Sequence, residues 1–300
     1  MTTTTTTVNL YLMGFKGLKA LERILDMKMG TFINSICIGN DKEIEIDYSS
    51  QLQELCDRHA LKWFEKIDSH QMPESQISIA ISWRWIISDV SNLIVFHDSL
   101  LPKYRGFAPL VSQLIDGLQV IGVTAIWAND EYDTGHIITQ SKTTILYPIK
   151  IYQAIQEVSN CYAECTETIF KALYESKTLP SIPQNHEHAT YSLWRDNLDY
   201  FINWSWPASR LTRFIDAVGF PYKGAMSHVD QKQIIINDAV EMPDLLIHNR
   251  DVGKVINITN GHPIVVCGTG LLKIISAKYI ETDCTILPLN KFRLRFSNPI

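Results

Sequence analysis

His97 and Asp133 are the two side chains of this sequence best placed by type and context to handle protons together. His97 closes the apolar run 93–96, where a buried strand opens onto a rim. Asp133 follows the strand-like stretch 122–128 at the end of the next strand, so both can reach one cleft. An imidazole takes or gives a proton near neutral pH, and a carboxylate beside it favours the charged ring. A lone histidine after a strand is more often a hydrogen-bonded structural residue, so the pair draws its weight from its surroundings. Those are Val95-Phe96-His97-Asp98-Ser99-Leu100-Leu101-Pro102-Lys103-Tyr104-Arg105-Gly106 and Asp130-Glu131-Tyr132-Asp133-Thr134-Gly135.

The elements that must position the pair follow an alternating grammar. Residues 8–13 read as a buried strand, followed by Gly14-Phe15-Lys16-Gly17 and a helix with Leu18, Leu21, Ile24 and Leu25 on one face. A strand at 31–38, a helix at about 51–63, and strands at 77–81 and 93–96 come next. A helix at 109–118, a strand at 122–128 and a long helix at 152–176 complete the series. This pattern predicts an α/β domain with a Rossmann-like, mainly parallel sheet, its chemistry at the carboxyl ends of the strands. Two prolines in 179–184 suggest a linker. Beyond about 194 there is one helix near Pro207, then short β-like runs, two of them joined by Asn260-Gly261, a hairpin signal. The expected division is a catalytic domain at 1–190, with Thr2 to Thr7 disordered, and a smaller β-rich, OB-like domain at 191–300.

A length of 300 residues accommodates two such domains, and 46% hydrophobic with 20% charged residues excludes a disordered, collagen-like or coiled-coil chain. Lys and Arg number 27 against 32 Asp and Glu, a net charge of −5, which argues against a chain built to grip nucleic acid. The six cysteines show neither a CxxC pair nor a disulfide spacing, which fits a reducing, cytoplasmic setting and no metal site. Arg84 and Asp89 interrupt the most apolar stretch, 77–96, so it reads as two buried strands and not as a membrane span.

The order of the segments resembles the folate-dependent formyltransferase family, which includes methionyl-tRNA formyltransferases, glycinamide ribonucleotide transformylases and bacterial sugar N-formyltransferases. The resemblance rests on His97 followed by Ser99-Leu100-Leu101-Pro102, on Arg105-Gly106, on Gly122-Val123-Thr124 and on Asp133 before Gly135. Pro183-Gln184, Ala189-Thr190-Tyr191, Ile202-Asn203-Trp204 and Tyr222-Lys223-Gly224-Ala225 extend it over most of the chain. It implies formyl transfer from N10-formyltetrahydrofolate to an amine. In that chemistry His97 donates to the carbonyl oxygen as it gains charge, with Asp133 sustaining the imidazolium and helping to move protons; one such fixed donor contributes about 3 kcal/mol. It further implies a pterin held at Trp83, Arg84, Trp85 and Ile86 and at Asn129, Asp130 and Tyr132. Ser99, Lys103, Arg105 and Tyr222 are the candidate acceptor contacts.

One position departs from the family. Its triad is Asn-His-Asp, and Val95 stands where the asparagine would be. Three readings follow: another donor (Asn92, Ser99 or a backbone N–H) compensates; the His–Asp pair suffices; or the protein binds without catalysing. The absence of a Lys/Arg cluster and the acidic balance favour an amino-sugar acceptor, nucleotide-linked and destined for surface polysaccharide, over tRNA. Methionyl-tRNA formylation, formyltetrahydrofolate hydrolysis and a catalytically impaired binding protein are the alternatives. A homodimer is one assembly open to it.

Overall fold

Val8, Leu10 and Leu12 on one face are fully buried and Asn9 on the other is buried too, as expected of a strand covered on both faces; they build β1 (Val8–Leu12). Around it β2 (Ile33–Ile38), β3 (Trp63–Glu65), β4 (Ile77–Ile81) and β5 (Leu93–His97) run parallel in the order β3-β2-β1-β4-β5. The short β6 (Arg105–Gly106) leaves this sheet, which continues through β7 (Val120–Trp127) and β8 (Ile137–Thr144), both antiparallel to their neighbours. The result is a mixed, mainly parallel seven-stranded sheet. β9 (Tyr191–Ser192) pairs with β6 in a separate two-stranded ladder. The helices are α1 (Gly14–Asp26), α2 (Ser49–Arg58), α3 (Pro109–Asp116) and α4 (Ile151–Tyr174).

This computed structural model describes residues 6–42 and 44–298. Of the threonines read as disordered, Thr2 to Thr5 lie outside the described residues. Thr7 is instead anchored: its N–H donates to Gln76 Oε1 at 3.1 Å and its carbonyl accepts from Ile77 at 3.2 Å.

Three local readings shift. The helix expected to reach 63 stops at Arg58, because Ala60 turns left-handed (φ 52°) and Trp63 and Phe64 are drawn into pairing with Ile36 and Cys37. β8 has no apolar run to announce it. It is an edge strand rich in Thr, Ser, Gln and Lys whose alternate residues face outward. β7 runs opposite to β5, with Trp127 beside Ile94 and Thr124 beside His97, so its end lies away from the rim where β5 ends.

The chain divides into two compact units. The first holds residues 1–110, 120–145 and 153–193, and the second holds 111–119, 146–152 and 194–300. In the second, α5 (Ala208–Val218) accompanies an antiparallel sheet. Its strands are β10 (Ala225–Val229), β11 (Lys232–Met242), β12 (Val255–Thr259), β13 (His262–Val266), β14 (Leu271–Tyr279) and β15 (Phe296–Ser297). Their order is β12-β13-β14-β11-β10-β15. Asn260 and Gly261 take φ of 53° and 78° in the β12–β13 hairpin, as such a turn requires. Ile264, Val266 and Leu271 form a buried cluster against Met242, Ile247 and Ile256. The early segments join this unit through specific bonds. Arg213 Nε of α5 donates to the Ile115 carbonyl at 3.0 Å, Tyr147 donates its hydroxyl to the Leu118 carbonyl at 2.9 Å, and Lys150 meets Asp216 at 2.6 Å and Asp238 at 2.9 Å. Among the described residues no helix is long and apolar enough to cross a membrane.

Candidate active site

β5 alternates its faces. Phe96 stacks on Tyr162 of α4 with ring centroids 5.6 Å apart, which turns Val95 and His97 to the opposite side. His97 is the last residue of the strand and is buried at 6% exposure. Its Nδ1 lies 3.3 Å from Asp133 Oδ1, and its Nε2 lies 2.7 Å from the Tyr104 carbonyl. Both partners are acceptor atoms. Asp133 is itself held, its Oδ2 accepting from the Gly106 N–H at 2.7 Å.

Because β7 ends at the far edge of β5, Asp133 reaches His97 through the loop 128–136 and not from a strand end. Trp127 N–H donates to the His136 carbonyl at 2.9 Å, closing the base of this loop. A Cβ on Gly135 would stand 1.7 Å from the Trp127 carbonyl oxygen, so no other residue fits there. Asp133 takes a left-handed φ of 56°, a conformation aspartate tolerates better than most residues. At the tip, Asn129 and Thr134 bond side chain to side chain at 2.8 Å. Asn129, Asp130 and Tyr132 are exposed, Tyr132 at 70%, with its ring 6.3 Å from that of exposed Phe107.

After β4 the chain turns through Ser82 (φ 56°) into an irregular loop. Trp83 and Trp85 stack edge to face 4.9 Å apart, half-buried, with Trp83 also against Tyr11. Arg84 pairs with Asp41 at 2.6 Å, and Ile86 is 82% exposed. Among the described residues, the amides of 83–88 donate no main-chain hydrogen bond.

The proposed acceptor contacts separate. Lys103 is exposed. Ser99 is fully buried, and its hydroxyl donates to the Lys103 carbonyl at 2.6 Å. Arg105, 2% exposed, donates from Nη2 and Nε to Gln184 Oε1 at 2.6 and 3.2 Å and from Nη1 to His186 Nδ1 at 3.3 Å. Ser99 and Arg105 therefore hold the loop together and do not face solvent as the sequence suggests. Tyr222 is half-buried in the second unit. Neither side chain offered as a replacement for the family asparagine can serve. Asn92 precedes β5 at its opposite end, and the Ser99 hydroxyl is occupied. The residue most underestimated in the sequence is Gln184. Its signal there is the Pro183-Gln184 pair of the family resemblance, read as linker with no role at the site, yet its Nε2 donates to the carbonyls of Asp133 at 2.8 Å and Gly135 at 2.7 Å.

A histidine and an aspartate thus lie against each other at the carboxyl end of a parallel strand of a Rossmann-like sheet, and they form the candidate site. The chain belongs to the formyl transferase family: residues 84–161 match Formyl transferase, and residues 196–283 match Formyl transferase, C-terminal domain. It is 29% identical over 174 residues to a methionyl-tRNA formyltransferase of Acetivibrio thermocellus, covering 58% of this chain and 55% of that one. Against a methionyl-tRNA formyltransferase of Syntrophomonas wolfei it is 28% identical over 201 residues, covering 65% and 63%. The match thus spans less than two thirds of each of these curated relatives. In fold it is similar to the N-formyltransferase of Helicobacter canadensis, solved with folinic acid and dTDP-3-aminofucose (TM-score 0.68, 14% identity, 90% of this chain and 99% of that one). It is also similar to WlaRD, a sugar 3N-formyl transferase solved in the presence of dTDP and 5-N-formyl-THF (TM-score 0.65, 18% identity, 93% and 99%).

Proposed function

We propose that this protein moves the formyl group of N10-formyltetrahydrofolate onto the amine of a nucleotide-linked amino sugar, in the cytoplasm, on a route to surface polysaccharide. Residues 1–190 would form the catalytic domain and 191–300 the smaller one. The observation that carries the reading is the contact of His97 with Asp133 at 3.3 Å, fixed from both sides by main-chain groups.

The residues around the pair suit a flat heterocycle with alternating donors and acceptors. The 83–88 amides, which donate no main-chain hydrogen bond among the described residues, lie beside exposed Ile86 and half-buried Trp83 and Trp85. Asn129, Asp130 and Tyr132 present a second exposed loop; Arg84, held by Asp41, contributes its stem more than its charge. When bound, the folate supplies an electrophilic formyl carbon. His97 holds a proton at the ring and can pass it on, and Asp133 keeps the ring oriented and balances its charge. Val95 adds no dipole at the family's asparagine position, which leaves His97 and main-chain N–H groups as the donors.

Two observations support a small acceptor over tRNA. The net charge is −5, and of Lys103 and Arg105 only Lys103 is exposed, Arg105 being buried. The fold neighbours matched along 99% of their length are a N-formyltransferase and a sugar formyl transferase. The test is incubation with N10-formyltetrahydrofolate and a panel of nucleotide-linked amino sugars, read by mass. A gain of one formyl group on a sugar supports the reading. Formylation of methionyl-tRNA alone, or release of formate without any amine, overturns it.

A further inference from the structure

Arg105 is one of the largest fully buried side chains of the molecule, and among the described residues no carboxylate forms an ion pair with it. A buried guanidinium is costly unless its donors are matched. Here the matching group is a neutral amide. Gln184 Oε1 accepts two of its N–H groups, and His186 Nδ1 accepts a third. The other end of the same amide donates to the carbonyls of Asp133 and Gly135. All four hydrogen-bonding positions of Gln184 are therefore in use, between an arginine on one side and the Asp133 loop on the other.

Arg105 is anchored in its turn. Its N–H donates to the Thr190 carbonyl at 2.8 Å, and β6 pairs with β9. The next residue, Gly106, gives Asp133 Oδ2 its N–H, and the Tyr104 carbonyl just before it meets His97 Nε2. Residues 104–106 thus touch both members of the pair from the main chain while the Arg105 side chain holds Gln184. Asp133, in a left-handed conformation, has its carbonyl fixed by Gln184 and its carboxylate by Gly106.

We propose that Arg105 and Gln184 are positioning residues, a buried brace that sets the carboxylate of Asp133 against His97. This rests on the reading of His97 and Asp133 as the reacting pair. A glutamate at 184 keeps the shape and can still accept from Arg105, but it has no N–H to give the two loop carbonyls. A methionine keeps the length and loses both ends.

The first test needs no acceptor. Amide hydrogen exchange is followed in the full chain for the parent, Gln184→Glu and Gln184→Met. The Gly106 amide should exchange roughly tenfold faster or more in both variants, while amides of β5 and β7 keep their rates. Unchanged exchange at Gly106, or a loosening of β5 and β7 equal to that at Gly106, overturns the brace. The second test is turnover of N10-formyltetrahydrofolate with the amino-sugar panel. Either variant should lose roughly 10- to 100-fold in kcat with the folate KM held within about threefold. Asp133→Asn should cost far less in the Gln184→Met background than in the parent, because Gln184 acts through Asp133. Full additivity overturns the proposal. If Asp133→Asn alone leaves turnover unchanged, it is the reading of the pair that fails, and the brace is then judged by Gly106 exchange.

Discussion

In the proposed function His97 is the residue on which the chemistry turns, and both of its ring nitrogens face acceptor atoms. His97→Ala should lower kcat by about 10²-fold or more at unchanged folate affinity, measured by turnover and by calorimetric titration with the folate. Val95 poses the sharper question. It shares its face of β5 with His97 and lies between Ala80 and Ile126, and neither Asn92 nor Ser99 replaces the family's amide. Val95→Asn should therefore raise kcat, by about tenfold, as a donor enters the site. A fall in kcat would mean that main-chain donors are arranged around valine. The candidate pair was legible from residue type and segment order. The burial of Ser99 and Arg105 was not, because a polar side chain after a strand reads alike whether it meets ligand or its own loop.

Among the elements, the 128–136 loop and the early segments of the second unit carry the clearest tests. Gly135→Ala places a methyl against the Trp127 carbonyl, so the loop must move and take Asp133 with it. We expect a loss of about 2–4 kcal/mol in stability by denaturant unfolding, with near-complete loss of turnover. Lys150 ties 146–152 to α5 and β11 through Asp216 and Asp238. Burial pushes its ammonium down, but hydrogen bonds and charge from the two aspartates outweigh this and hold it above the usual lysine value. A base with a raised folded value stabilises below its unfolded value, and that contribution is lost as pH rises through the folded one. Lys150→Met should thus cost about 1–3 kcal/mol at pH 7, discounted for its half-exposed side chain, and the cost should shrink above about pH 10.5 in unfolding curves. The mainly parallel sheet followed from the alternation of strands and helices, and the Asn260-Gly261 hairpin from its turn chemistry. The direction of β7 and the existence of β8 were hidden, since no local pattern distinguishes a parallel from an antiparallel neighbour and an edge strand of Thr, Ser and Gln shows little apolar signal.

At the scale of the whole molecule, α/β and β-rich parts were readable because hydrophobic periodicity changes near 194. The recruitment of 111–119 and 146–152 into the second unit was not, because it depends on single contacts such as Arg213 to Ile115 and Lys150 to Asp216. Matches over 84–161 and 196–283 show membership of the formyl transferase family, and the proposed reaction rests on it, with the acidic balance bearing on the proposed acceptor. The most direct test of the central claim is a mass measurement of a nucleotide-linked amino sugar after incubation with N10-formyltetrahydrofolate, run in parallel for the parent protein and Asp133→Asn. We predict one added formyl group with the parent and about 10²-fold less product per unit time with the variant. Equal product from both, or none from the parent while formate accumulates, would contradict it.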